Sequence, residues 1–321
     1  MALGKPNPGE IDPGPTREAL WQKRLRHETK CMRACREDDG PQPYRETVRV
    51  RLARLALRLA GLYDRGVRNA NSPVLREVTF SFHTLPAAFD GFRILHLSDF
   101  HFNNWPGFTQ MMCGLVRNLE ADLAVFTGDY RFNPRSPCSS VYEGMTALVE
   151  ILRAPCGTLA VLGNNDMSEF VERFGALGVR VLVNEALELA RDGDRIWFAG
   201  VDDPHEFRCD GLRHALDEIP EGAFTVLLPH SPEPVREAAA AGIDLCLCGH
   251  THGGQVCLPW MGPVYRNCRC ARAHVAGQWR YGHLQGYTNR GLGASTIPIR
   301  FNCPPEAALI TLRRAPLPHG P

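Results

Sequence analysis

A layered α/β fold is the class this sequence predicts, on three observations. The composition is that of an ordinary globular chain, 321 residues with 44% hydrophobic and 22% charged, which excludes a disordered, collagenous or disulfide-scaffold chain. From about residue 78, short runs rich in Val, Ile, Leu and Phe alternate with stretches of helical pattern. Those runs are apolar on both faces, as strands buried under helices are.

The elements follow in order. Residues 1–16 hold seven Pro or Gly and predict a loose tail. Residues 18–36 are polar and basic and predict a weak helix, broken at Asp39-Gly40-Pro41. Residues 44–64 predict a better helix. Its Arg51, Arg54, Arg58 and Arg65 fall on one stripe, flanked by Val50, Ala53 and Leu57 on one side and by Leu55, Leu59 and Leu62 on the other. The first 70 residues carry 15 Lys and Arg against 9 Asp and Glu, and the remainder 21 against 26, so a net charge of +1 conceals a basic front end on a mildly acidic body. This charge and this helix predict contact of residues 44–66 with an anionic membrane surface. A helix packed on the body with its Arg stripe in water would need only the same residues. Nothing points to a nucleic-acid partner. The expected divisions are a basic, partly helical extension over 1–75, a body over 76–315 and a tail over 316–321.

Within the body, strands are expected at 92–97, 123–127, 158–162, 196–201, 224–228 and 243–247, and helices at 110–119, 141–152, 168–177, 212–219 and 234–241. After Gly253 the chain is rich in Gly, Pro and Arg, with one last strand at 308–312. No stretch of about 18 uninterrupted apolar residues predicts a spanning helix. The start lacks the apolar segment of a secretory signal, and the 12 Cys are scattered, so reduced thiols in a cytoplasmic protein, peripheral on the inner membrane face, are expected. Cys246 and Cys248, two apart on a strand, read as small buried hydrophobes.

Almost every strand ends in a residue suited to a metal. The first runs into Asp99-Phe100-His101, the second into Gly128-Asp129, and the third into Gly163-Asn164-Asn165-Asp166. The fifth reaches His230, and the sixth reaches Gly249-His250-Thr251-His252. Parallel strands gather their carboxyl ends at one edge, where sites are built. Two Asp, one Asn and four His would then share one cleft. This N and O donor set suits Mn²⁺ first, with Fe or Zn²⁺ as alternatives, and seven ligands exceed what one tetrahedral ion takes. Two divalent ions sharing a carboxylate fit better.

The series Asp99-x-His101, Gly128-Asp129, Gly163-Asn164-x-Asp166, His230 and Gly249-His250-Thr251-His252 resembles the calcineurin-like metallophosphoesterases over about residues 90–313. The resemblance implies a four-layer sandwich of two central β-sheets flanked by helices. It implies that Asp99, His101, Asp129 and His252 bind one metal, and that Asp129 bridges to a second held by Asn164, His230 and His250. It further implies hydrolysis of a phosphate ester or pyrophosphate by metal-bound hydroxide. The segment 286–293 and Pro298–Glu306 look like a membrane-associated bacterial branch, some of whose relatives cleave UDP-2,3-diacylglucosamine. Arg290 and Arg300 are then candidates for substrate phosphate contacts.

One departure matters. The family usually carries His where this chain has Asn165, and that His is commonly assigned to protonate the leaving group. Asn cannot act as an acid, which typically contributes about 10²–10⁴-fold. A substrate with a good leaving group, such as a pyrophosphate, needs the acid least. His205, after a strand in Asp202-Asp203-Pro204-His205, is a candidate replacement. Two other functions fit the same residues: a soluble phosphomonoesterase or cyclic-nucleotide phosphodiesterase, and a metal-binding scaffold weakened at Asn165.

Overall fold

Successive residues of a strand point to opposite faces of its sheet, and here they enter different cores. The computed structural model describes residues 14–31, 47–102, 105–134 and 136–316. Its strands are β1 (Val74–Phe82), β2 (Arg93–Leu97), β3 (Leu123–Phe126), β4 (Thr158–Ala160), β5 (Val179–Val181), β6 (Glu185–Arg191), β7 (Asp194–Gly200), β8 (Thr225–Leu228), β9 (Leu245–Cys248), the short pair β10 (Cys257–Leu258) and β11 (Gly262–Pro263), β12 (Gly277–Tyr281), β13 (Leu284–Thr288) and β14 (Glu306–Arg314). The helices are α1 (Arg17–Cys31), α2 (Val48–Leu59), α3 (Tyr63–Ala70), α4 (Phe108–Val116), α5 (Ser139–Ile151), α6 (Phe170–Gly175), α7 (Leu212–Leu216) and α8 (Val235–Ala240).

Two six-stranded sheets result, ordered β1-β14-β2-β3-β4-β5 and β12-β13-β9-β8-β7-β6. Both are mixed. In the first, β2 through β5 run parallel while β14 lies antiparallel to β2 and parallel to β1. In the second, β7, β8, β9 and β13 are parallel, and β6 and β12 are antiparallel edges. Ile94, Val125 and Ile310 of the first sheet meet Phe198, Val226 and Leu247 of the second in a core between the sheets. Leu95, Leu97 and Phe126 point the other way, onto Met112, Met145 and Phe174 beneath α4, α5 and α6. Cys246 and Cys248 pack with Ala215 and Val235 under α7 and α8, as small buried hydrophobes. The protein is therefore an α/β sandwich of two mixed sheets with flanking helices.

Several elements differ from the expectation. Strands β1, β5, β6, β12 and β13 were not foreseen; β1 alternates polar and apolar residues in its second half, β6 alternates hardly at all, and β12 and β13 lie in the Gly-rich stretch. The single helix expected over 44–64 is two, α2 and α3, because Gly61 takes a φ of 67° between them. Its first residues, together with 32–36, Asp39-Gly40-Pro41, most of the loose start and most of the 316–321 tail, lie outside the described residues.

The front end is also tied to the body. Arg24 of α1 is fully buried and donates to Glu28 Oε1 (2.8 Å), to Asp202 and to the Asp166 carbonyl (2.8 Å). α3 packs its Gly66 where a Cβ would lie 2.9 Å from Ile299. By contrast α2 buries no residue.

Candidate active site

Strands β2, β3 and β9 enter the site through tight turns that candidate ligands themselves make. Asp99, His101, Asp129, His250 and His252 have φ between 50° and 69°, a region that non-glycine residues rarely adopt. Such backbone persists only where its surroundings enforce it, and it clusters at functional sites. Here the loops lock one another. Asp99 N–H donates to the Gly128 carbonyl (2.9 Å), His101 N–H to the Asp129 carbonyl (3.1 Å) and Gly249 N–H to the His230 carbonyl (2.8 Å). The approach is close enough to require glycine: a Cβ on Gly163 would lie 2.4 Å from Asp129 Oδ1.

The side chains form two groups. Donor atoms of Asp99, His101 and His252 lie within 4.8 Å of one another, as do those of Asp129, His230 and His250, and all six residues are buried. Asp129 faces both groups, with Oδ2 3.9 Å from His101 Nε2 and Oδ1 3.5 Å from His230 Nε2. Asn164 lines one cavity with Asp129, His250 and His252, and its Oδ1 is buried without a hydrogen-bond partner, as is Oδ1 of Asp99.

The donor chemistry fits cations. His230 Nδ1 donates to the Thr127 carbonyl and His250 Nε2 to the Asn267 carbonyl, both at 2.6 Å. Those bonds fix the tautomers. The nitrogens left facing each other at 3.2 Å, His230 Nε2 and His250 Nδ1, then need one positive charge between them, a proton carried by His230 or a metal ion in its place. His101 Nδ1 is likewise held by the Arg131 carbonyl at 2.6 Å, and its Nε2 faces His252 Nε2 at 3.1 Å. Burial opposes a charge on His230, yet the carboxylates of Asp129 and Asp99 hold its pKa well above the usual value. The same field draws a divalent cation. Burial and the His230 charge push His250 down to about 3, so it stays a neutral donor.

The other expected residues fall as follows. Asn165 lies beside Asp129, donating from Nδ2 to Oδ2 (2.7 Å) and from its backbone N–H to Oδ1 (2.9 Å). His205 lies against His250, with ring centroids 4.1 Å apart and the planes inclined at 44°, and its Nδ1 lies 2.7 Å from Glu233 Oε1. Arg290 and Arg300 do not stand ready for a phosphate, contrary to the expectation. Arg290 is engaged by the buried Glu306. Arg300 is fully buried, donating to the carbonyls of Arg290 (2.7 Å) and Gly291 (3.2 Å), with Nη2 3.3 Å from His252 Nδ1. Both hold the loops that carry ligands.

Sequence reasoning assigned no role to three further residues. Asp166 accepts N–H bonds from Asp129 (2.8 Å), Tyr130 (2.8 Å) and Gly163 (2.7 Å), tying two ligand loops together. Its place in Gly-Asn-x-Asp was the available signal. Glu233 orients His205, and Arg24 clamps the Asp166 and Asp202 loops from behind. Neither has a motif.

A profile of the calcineurin-like phosphoesterase family matches residues 92–254. The chain is 32% identical to the uncharacterized metallophosphoesterase YkuE of Bacillus subtilis over 74% of its own length and 84% of that protein. It is 29% identical to the phosphodiesterase YaeI of Escherichia coli, over 69% of this chain and 82% of YaeI. It is also 29% identical to a Bos taurus transmembrane protein with a metallophosphoesterase domain, spanning 77% of this chain and 59% of that protein.

Proposed function

The chain belongs to the calcineurin-like phosphoesterase family and is a metal-dependent phosphoester hydrolase, and we propose that it cleaves a phosphodiester or pyrophosphate bond using two divalent cations. The observation that carries this reading is the pair of buried ligand groups joined by Asp129. Asp99, His101 and His252 would hold one ion, Asn164, His230 and His250 the other, and Asp129 both. When bound, two such ions offset phosphate charge, and metal coordination lowers the pKa of water toward neutrality. Mn²⁺ is the ion we favour, for a donor set of oxygen and imidazole nitrogen without thiolate.

The chain's own residues divide the remaining work. Asn165 holds the Asp129 carboxylate by two hydrogen bonds, so it positions a ligand where the family commonly has an acid. Proton delivery to the leaving oxygen then falls to His205, braced by Glu233 beside His250, or is dispensed with for a leaving group of low pKa. A lipid-linked pyrophosphate of the UDP-2,3-diacylglucosamine kind meets the second condition.

We place the enzyme at a membrane face. Leu52, Leu55 and Leu59 on one stripe of α2 are 52–81% exposed, and Trp260 and Met261 between β10 and β11 are fully and largely exposed. Arg51, Arg54 and Arg58 run beside that stripe, the arrangement of a helix lying in a lipid interface. Among the described residues no helix is long and apolar enough to cross a membrane.

Two measurements test this. Protein reconstituted with Mn²⁺ should approach two ions per chain and turn over bis(p-nitrophenyl) phosphate, and Asp129→Asn should lower both; full activity with one ion overturns the reading. Co-sedimentation with anionic vesicles at low salt should fall in Leu52→Glu/Leu55→Glu. Equal binding by both proteins refutes the membrane assignment.

A further inference from the structure

The inner face of α2 poses a question that its outer stripe does not. Val50, Ala53 and Leu57 look inward, across a cavity of about 930 Å³, at Val256, Ile299 and Phe301. This helix buries no residue, so its apolar inner side is left unsatisfied by the fold itself. The cavity is continuous with the metal site, for Asp129, Asn164, Asn165, His250 and His252 form part of the same wall. Its volume lies at the upper end of what encloses a drug-sized ligand, and most of its lining away from the ligands is aliphatic or aromatic.

We infer that this groove binds the acyl or alkyl chain of an amphiphilic phosphodiester or pyrophosphate, whose phosphate then sits at the Asp129 cluster. Three observations select that occupant. The groove joins an apolar wall to a site built for an anion, which is the polarity of an amphiphile along its length. Arg49 stands on the groove wall, a cation that an anionic head group can meet. The helix that forms the wall turns its other apolar stripe, Leu52, Leu55 and Leu59, to the outside, where a chain leaving a bilayer would enter. α2 is then one wall of the substrate site as well as an interfacial helix, and it selects substrate by chain length.

The inference rests on the proposed hydrolysis, and the experiment separates the two. Initial rates are measured for p-nitrophenyl alkyl phosphates with methyl, butyl, hexyl and octyl chains, each below its micelle concentration, with Mn²⁺ and the full chain. Burial of alkyl groups should raise kcat/KM by about three- to fourfold for each methylene, levelling off once the groove is full. Ala53→Trp, which fills the groove, and Leu57→Glu, which charges it, should reduce the octyl-to-methyl ratio toward one. α2 contributes nothing to the core, so neither change threatens the fold. Turnover of all four esters with a flat profile overturns the inference while leaving the hydrolase standing. If no ester is hydrolysed, the proposed function fails and binding of dodecylphosphocholine by calorimetry decides. Binding weakened tenfold or more by Ala53→Trp supports the groove; equal binding, or none, refutes it.

Discussion

Replacing Arg24 by Met tests whether α1 is part of the catalytic body. Met keeps much of the length and apolar stem of the side chain and removes its charge. Arg24, Asp202 and Glu28 are all buried. The guanidinium donates to both carboxylates and to the carbonyls of Gly163 (3.3 Å) and Asp166 (2.8 Å). Burial alone would lower the Arg24 pKa, but the fields of Asp202, Glu28, Asp166 and Asp203 raise it. Removing one partner of such a pair leaves an uncompensated buried charge and costs about 3–5 kcal/mol. For a chain of this size that corresponds to a Tm lower by roughly 4–7 °C. The assay is thermal denaturation of the metal-loaded protein, with metal content measured alongside. Arg24→Met/Asp202→Asn should recover part of the loss, because the stranded carboxylate is gone. A single variant within 1 kcal/mol of the native protein, or a double variant no better than the single, would refute the reasoning and make α1 an adornment.

Two further outcomes are expected. Over a series of aryl phosphodiesters, His205→Ala should steepen the fall in rate with leaving-group pKa while metal content stays constant, and Asn165→His should flatten it, with a gain of about tenfold or more for the poorest leaving group; a slope that neither change moves removes both residues from proton transfer. Burial, with the charges of Asp203 and Glu237, pushes the Asp210 carboxyl up to about 7. The folded protein therefore holds a proton that the unfolded chain has lost above about pH 4, so stability should fall as pH rises toward 7 and then level off. Asp210→Asn should lessen that slope in denaturant titrations at pH 5, 6 and 7.5, and an unchanged slope counts against the assignment.

The central layers and the ligands were legible in the sequence for one reason. A strand buried on both faces is an uninterrupted apolar run, and its carboxyl end is marked by the residue that breaks the run. Strands β2, β3, β4, β8 and β9 all read this way. Edge and exposed strands carry no such mark: Glu185–Arg191 alternates too weakly to stand out, and Gly277–Tyr281 contains polar and charged residues. Arg24 was invisible for a different reason. A buried arginine and a solvated one look alike on a helix, and the partner that distinguishes them, Asp202, is 178 residues away. Arg300 misled in the converse way, since carbonyl oxygens that consume a guanidinium leave no trace in side-chain identity. Nor do the carbonyls of Thr127, Arg131 and Asn267 that orient three of the histidines.

The position of β14 governs how the chain can be made. Among the described residues it is the last strand, yet it lies between β1 and β2, and β1 pairs with no other strand there. Until residues 306–314 leave the ribosome, the first sheet has a gap between its edge strand β1 and β2 and two unpaired strand edges, each able to pair with another nascent chain. The segment just before β14 also closes the metal loops, through Leu292 N–H to the Ser98 carbonyl (3.0 Å) and Gly293 N–H to the Asp99 carbonyl (2.8 Å). The site therefore cannot be assembled until residues 291–293 have been made. A product truncated ahead of residue 306 carries every ligand and still lacks the strand that completes its first sheet, so premature termination yields an aggregation-prone chain in place of a partly active enzyme.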